Sequence, residues 1–175
     1  MATYNRAMNE RVFAAANQLS PAELAGDKGA FFGSILGTLN HIAVGDTLWL
    51  QRFAQHPAGF ASLDVMTSFA RPTSLRQTIG PDLASLAAYR KRLDSIIELW
   101  VAELTPEYLA SNMAYVSMAG VRSNKPLGAV LQHVFNHQTH HRGQVSTLLF
   151  QLGVDVGVTD FITFVPDADE ADDNG

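Results

Sequence analysis

A chain of 175 residues with 47% hydrophobic and 17% charged side chains has the make-up of one globular domain, large enough to bury a core without staples. It contains no cysteine, which excludes a disulfide framework, a thiolate nucleophile and a thiolate metal ligand. Its net charge of −5, with no basic group denser than Arg90-Lys91-Arg92, argues against nucleic acid as the main partner, and that triplet reads as a solvated helix face.

The opening MATYNRAMNER sets Arg6 and Arg11 among polar residues with no apolar run behind them, so no secretory signal is expected. The first predicted helix runs from about Thr3 to Leu19, with Met8, Val12, Ala15 and Leu19 at helical spacing, and stops at Ser20-Pro21. The second runs from about Gly29 to Ala54 and is broken off by His56-Pro57. Its uncharged stretch from Gly29 to Gly45 is too short and too polar to span a bilayer, so a cytoplasmic protein is expected. Residues 55 to 80, with Pro57, Gly59, Pro72 and Gly80, read as a long crossover.

A third helix begins near Pro81-Asp82 and continues through Leu93, Ile97 and Trp100 to Leu104, closing at Thr105-Pro106. Met113 to Met118 reads as a short strand or an extended loop. The fourth helix begins near Pro126 and ends at Leu152-Gly153, where proline suits the entry and glycine the exit. Beyond it, DFITFV (160–165) is expected to pack back on the helices, and the acidic tail 167–175 to fray. Four long helices make the expected fold an all-α four-helix bundle, one domain over residues 1–166.

The fourth helix carries the most informative residues. Four of the six histidines, His133, His137, His140 and His141, fall in one nine-residue stretch where composition alone would place about 0.3. Residues four apart share a helix face, so His133/His137 or His137/His141 could present two imidazoles to one divalent metal. At about 100° per residue, with His137 at zero, the apolar residues span an arc from about 20° to 120°. His141 lies inside it at about 40°, whereas His133 and His140 lie beyond its edge at about −40° and −60°. His137 and His141 therefore face the core, and His133 and His140 line its margin.

A third ligand is needed to hold a metal and leave a position open. Without cysteine it must come from histidine, carboxylate or amide, and His41 and Asp46 in LNHIAVGDTLWL are the candidates, with His56 a weaker one expected at the surface. Periodicity does not choose His41, because the stripe of Ile35, Leu39, Ile42, Trp49, Leu50 and Phe53 puts Asp46 nearer its middle. A protease of the HExxH kind is disfavoured, since Gln138 stands where the glutamate base would be. Asn40 and Gln144 are candidates to orient imidazoles, Arg142 for a salt bridge or a helix-end role, Gly143 for close helix packing, and Trp49, Trp100 and Phe135 for core or dimer-interface anchors.

LNHIAVGDTLWL followed some ninety residues later by HVFNHQTHHRGQ resembles the DinB family of bacterial metal-binding helical bundles. YNRAMNERVF, the LSPAEL turn, Gly120 and Leu152-Gly153 extend the resemblance over most of the chain. It implies an up-down-down-up bundle, frequently homodimeric, with a divalent metal on three histidines: here His41, His137 and His141. Three imidazoles suit Zn, Ni, Fe(II) or Co. Some members or relatives of this bundle superfamily transfer low-molecular-weight thiols to electrophiles, so the activity the resemblance implies is metal-dependent thiol transfer or a related detoxification. The alternatives are a hydrolase, with Asp46 or His140 accepting a proton, and a non-catalytic, metal-stabilised bundle.

Overall fold

The computed structural model describes residues 1–167. Four long helices dominate it: α1 (Ala2–Ala16), α3 (Ile35–Phe53), α4 (Leu83–Ala102) and α6 (Leu127–Phe150), with short α2 (Pro21–Ala25) and α5 (Pro106–Ala110) between them. Around the bundle α1 touches α4 and α6, and α3 touches the same two. Cross-helix pairs set the directions. Arg6–Glu98 and Asn9–Asp94 run α1 against α4, Asp46–Arg90 and Phe53–Trp100 align α3 with α4, and His41–His141 and Trp49–His133 run α6 against α3. The order is up-down-down-up, as the resemblance implies. The parallel α3–α4 pair is possible because the long crossover, residues 54–82, returns the chain to the starting end.

The expected boundaries move where local hydrogen bonding outweighs apolar periodicity. Ser20-Pro21 ends α1 and also starts α2, with Ser20 and Glu23 forming a reciprocal capping box. Helix α3 starts six residues later than expected. Ser34 Oγ accepts from the Gly37 amide at 2.9 Å, and residues 26–34 form an entry loop closed by Lys28 and Gly33. Asp82 caps α4 in the same way, accepting from Ser85 N at 2.8 Å. The extended segment near Met113 is β1 (Asn112–Val116), paired antiparallel with β2 (Arg122–Pro126).

The core is aliphatic through the bundle and aromatic at one end, where Trp100, 1% exposed, stacks on Phe53 at 4.3 Å. A single apolar stripe does not describe α3, which is buried on nearly every face: α4, α6 and the crossover all cover it. The DFITFV segment does pack back, its Phe161 and Phe164 meeting Tyr4 edge-on at 5.2 and 5.3 Å while Tyr4 Oη donates to the Thr159 carbonyl. The tail beyond Asp167 lies outside the described residues.

Candidate metal centre

Three imidazoles from two antiparallel helices converge. His41 comes from the second turn of α3, and His137 and His141 from successive turns of α6; one ring nitrogen of each lies within 4.8 Å of the others. His41 Nε2 is 3.1 Å from His137 Nε2. A tetrahedral ion with metal–nitrogen bonds of about 2.0–2.1 Å would set such nitrogens ~3.4 Å apart. That pair already lies near ligand spacing, and the third nitrogen, within 4.8 Å of both, is close enough to share one ion with them.

The outer nitrogens fix which atoms face inward. His41 Nδ1 lies 2.9 Å from the Leu75 carbonyl, which can only accept, so Nδ1 carries the proton and Nε2 keeps its lone pair. His141 Nδ1 donates to Gln144 Oε1 at 2.8 Å, which turns its Nε2 inward likewise. With lone pairs at His41 and His141, and His137 Nε2 close beside them, the donor set suits a shared cation.

Several backbone devices build this geometry. Asn40 accepts from the amides of Ile79 and Gly80 at 2.7 and 2.9 Å and donates to the Gly80 carbonyl at 3.0 Å, pinning the crossover that delivers Leu75. Its amide thus acts on His41 through the loop and does not touch an imidazole. At Gly37 a Cβ would sit 2.2 Å from the Phe32 carbonyl oxygen, so only glycine lets the entry loop fold back. That fold-back stacks Phe32 on His41 at 3.7 Å. At Gly45, one turn beyond His41, a Cβ would lie 2.9 Å from His137 Cε1. Glycine there gives the His137 ring its space. Sequence reading missed both glycines; Gly45, four residues from His41 on the same face, carried the available signal.

Burial favours neutral rings. It is the main reason His137 is pushed down to about 3, with the surrounding imidazoles adding to the effect. Burial also lowers His41 and His141, opposed in part by the Leu75 carbonyl and by Gln144. All three keep lone pairs available at neutral pH.

The cluster forms the base of a pocket of about 750 Å³. Phe31, Phe32 and Trp49 supply apolar walls, and the rim holds the exposed His133 and His140, as the helical count placed them. Gln144 Nε2 lies 3.1 Å from His140 Nε2, so one amide links His140 to His141.

Several other side chains lie elsewhere than expected. Asp46 is wholly buried in an ion pair with Arg90, which also meets Asp94 at 3.1 Å, and it is absent from the pocket wall. Arg90 is therefore no part of a solvated face. His56 is buried, 3.1 Å from Ser111 Oγ, because the loop after α3 folds it inward. Arg142 lies 6% exposed and donates to Asn5, Asn9 and Gln138, amides that replace the expected carboxylate. Gln138 is fully buried in that network and turned from the pocket. A Cβ at Gly143 would meet nothing within 4 Å, so that glycine serves no close packing. Trp100 and Phe135 are core residues, while Trp49 is a pocket wall.

The profile described as the DinB family matches residues 1–172. No curated protein matches the chain. Among solved structures, a DinB-like protein from Bacillus cereus ATCC 10987 superposes with a TM-score of 0.59 at 19% identity, covering 86% of this chain and 89% of that one. At that identity the likeness speaks for the fold.

Proposed function

The chain belongs to the DinB family, and from that membership and the converging imidazoles we propose that it is a metal-dependent transferase of low-molecular-weight thiols. The observation that carries the reading is the set of three neutral, core-facing imidazoles at the base of an open, largely apolar pocket. A divalent ion held by His41, His137 and His141 would supply Lewis acidity sufficient to keep a bound thiol as thiolate at neutral pH.

The chain's own residues do the remainder. Leu75 and Gln144 hold the rings of His41 and His141 in one tautomer. Phe31 and Phe32 line one side of the pocket and offer an electrophile an apolar surface. His140, at the rim, accepts from the Gln144 amide and so braces the side chain that holds His141. No cysteine is available, so the sulfur must arrive on a co-substrate.

The hydrolase alternative is weaker: Asp46 and Gln138 both lie buried outside the pocket, which leaves His140 as its proton acceptor. The same reading takes residues 1–166 as one domain acting as a cytoplasmic homodimer. It is compatible with the absence, among the described residues, of any helix long and apolar enough to cross a membrane. The test is a titration of Co(II)-substituted protein with small thiols. A thiolate-to-metal charge-transfer band is expected, and its absence for every thiol tried would sink the transferase reading.

A further inference from the structure

Arg52 is a largely buried arginine with no carboxylate partner among the described residues. On the last turn of α3 it is 8% exposed, and its Nε has no hydrogen-bond partner. No carboxylate lies within ion-pair distance of it among the described residues. Instead its guanidinium lies over Trp49 at 4.5 Å and Tyr115 at 5.5 Å, aromatic faces that fix its plane. Burying an uncompensated guanidinium is costly, and Arg71 close by adds to the cost.

Arg52 also stands at a junction. It lines the histidine pocket and, on its other side, a second cavity of about 390 Å³. Arg71 and Arg122, with Gln55 and Ser123, line that cavity, and among the described residues no acidic one does. The three arginines come from α3, the crossover and β2, so tertiary structure assembles a cluster that no segment of the sequence shows. Three arginines lining one cavity bring together the side chains whose forked donors suit paired oxygens of carboxylate or phosphate.

We infer that Arg52, Arg71 and Arg122 form a binding site for an oxyanion, into which the anionic end of a small co-substrate extends while its other end lies against the histidines. Eleven residues separate His41 from Arg52 on α3, roughly 16 Å along the axis, of which the arginine side chain spans part. The ligand class is then an elongated small molecule with carboxylate or phosphate oxygens at one end. The second half of this inference rests on the transferase reading, whereas the anion site stands without it.

The experiment is calorimetric titration of the purified protein with succinate and with inorganic phosphate at low salt, repeated on variants. Millimolar binding is expected for at least one anion, and the stronger of the two identifies the oxyanion. Affinity should fall tenfold or more in Arg52→Gln and in the surface double variant Arg71→Gln/Arg122→Gln, whose exposed positions leave folding intact. His137→Ala, which removes a metal ligand, should bind the anion as the parent does. Its metal loss and the arginine variants' anion loss therefore succeed or fail separately. No binding of either anion by the parent, or unchanged affinity in the double variant, would overturn the site.

Discussion

Replacing Gly45 by alanine should damage metal binding while leaving the fold as stable as before. The added Cβ would sit 2.9 Å from His137 Cε1 and 3.4 Å from Nδ1, whereas carbon atoms in contact rest at about 3.5–4.0 Å. The ring must retreat by roughly 0.6 Å or more, beyond the ~0.2 Å tolerance of a metal–ligand distance. A shift of this size would displace one of the three proposed ligands, and we expect metal affinity to fall by at least about tenfold, the scale of losing a supporting contact. Stability moves the other way: alanine in a helix interior gains about 0.5–1 kcal/mol over glycine, against about 0.5–1.5 kcal/mol for a displaced ring. The apo protein's melting temperature should stay within a few degrees of the parent's. Competition titration of Zn(II) against a chelating dye, beside thermal melts of the metal-free protein, measures both. Gly143→Ala is the control: it has open space, so it should raise stability slightly and leave affinity unchanged. Wild-type affinity in Gly45→Ala would refute the placement of His137 against α3.

Gln144→Leu removes the acceptor of His141 Nδ1 and should weaken metal binding about 10- to 100-fold by the same titration, with His140→Ala far less affected. Asp46→Asn should lower stability by about 3–5 kcal/mol in urea denaturation, because it breaks a buried ion pair, yet leave metal content at the parent level; loss of metal would restore Asp46 to the site. The metal-free protein should lose stability as pH falls. Unfolded imidazoles take up protons near pH 6.5, whereas His41, His137 and His141 in the fold resist them, His137 down to about 3. These three imidazoles thus bind more protons in the unfolded state throughout that window, outweighing the single opposing carboxylate of Asp46, which burial pushes up to about 6, and urea midpoints measured from pH 7 to about pH 4.5 should decline. A flat or rising profile would contradict neutral, buried rings.

Much of the bundle was legible in the sequence, because α1, α4 and α6 each bury one stripe and expose the rest, which is the condition for helical periodicity to be read. The same condition selected His137 and His141 over His133 and His140. It fails for α3, covered on nearly all sides, so burial no longer distinguishes faces; His41 and Asp46 are both buried, one at the pocket and the other at Arg90. There the family resemblance supplied what the arc could not. Arg142 was misjudged for a related reason: it sits just off the apolar arc, where the opposing helix offers Asn5 and Asn9 in place of solvent. A buried polar network has no one-dimensional signature. Nor does the need for glycine at position 45, which depends on a ring ninety-two residues later in the chain.

We propose that one divalent ion is held between α3 and α6 by His41, His137 and His141. Elemental analysis of protein purified without added metal, compared with His41→Ala and His137→Ala, tests it most directly. About one metal per chain is expected in the parent and little in either variant, each still folded by circular dichroism. Stoichiometric metal surviving in both variants would contradict it.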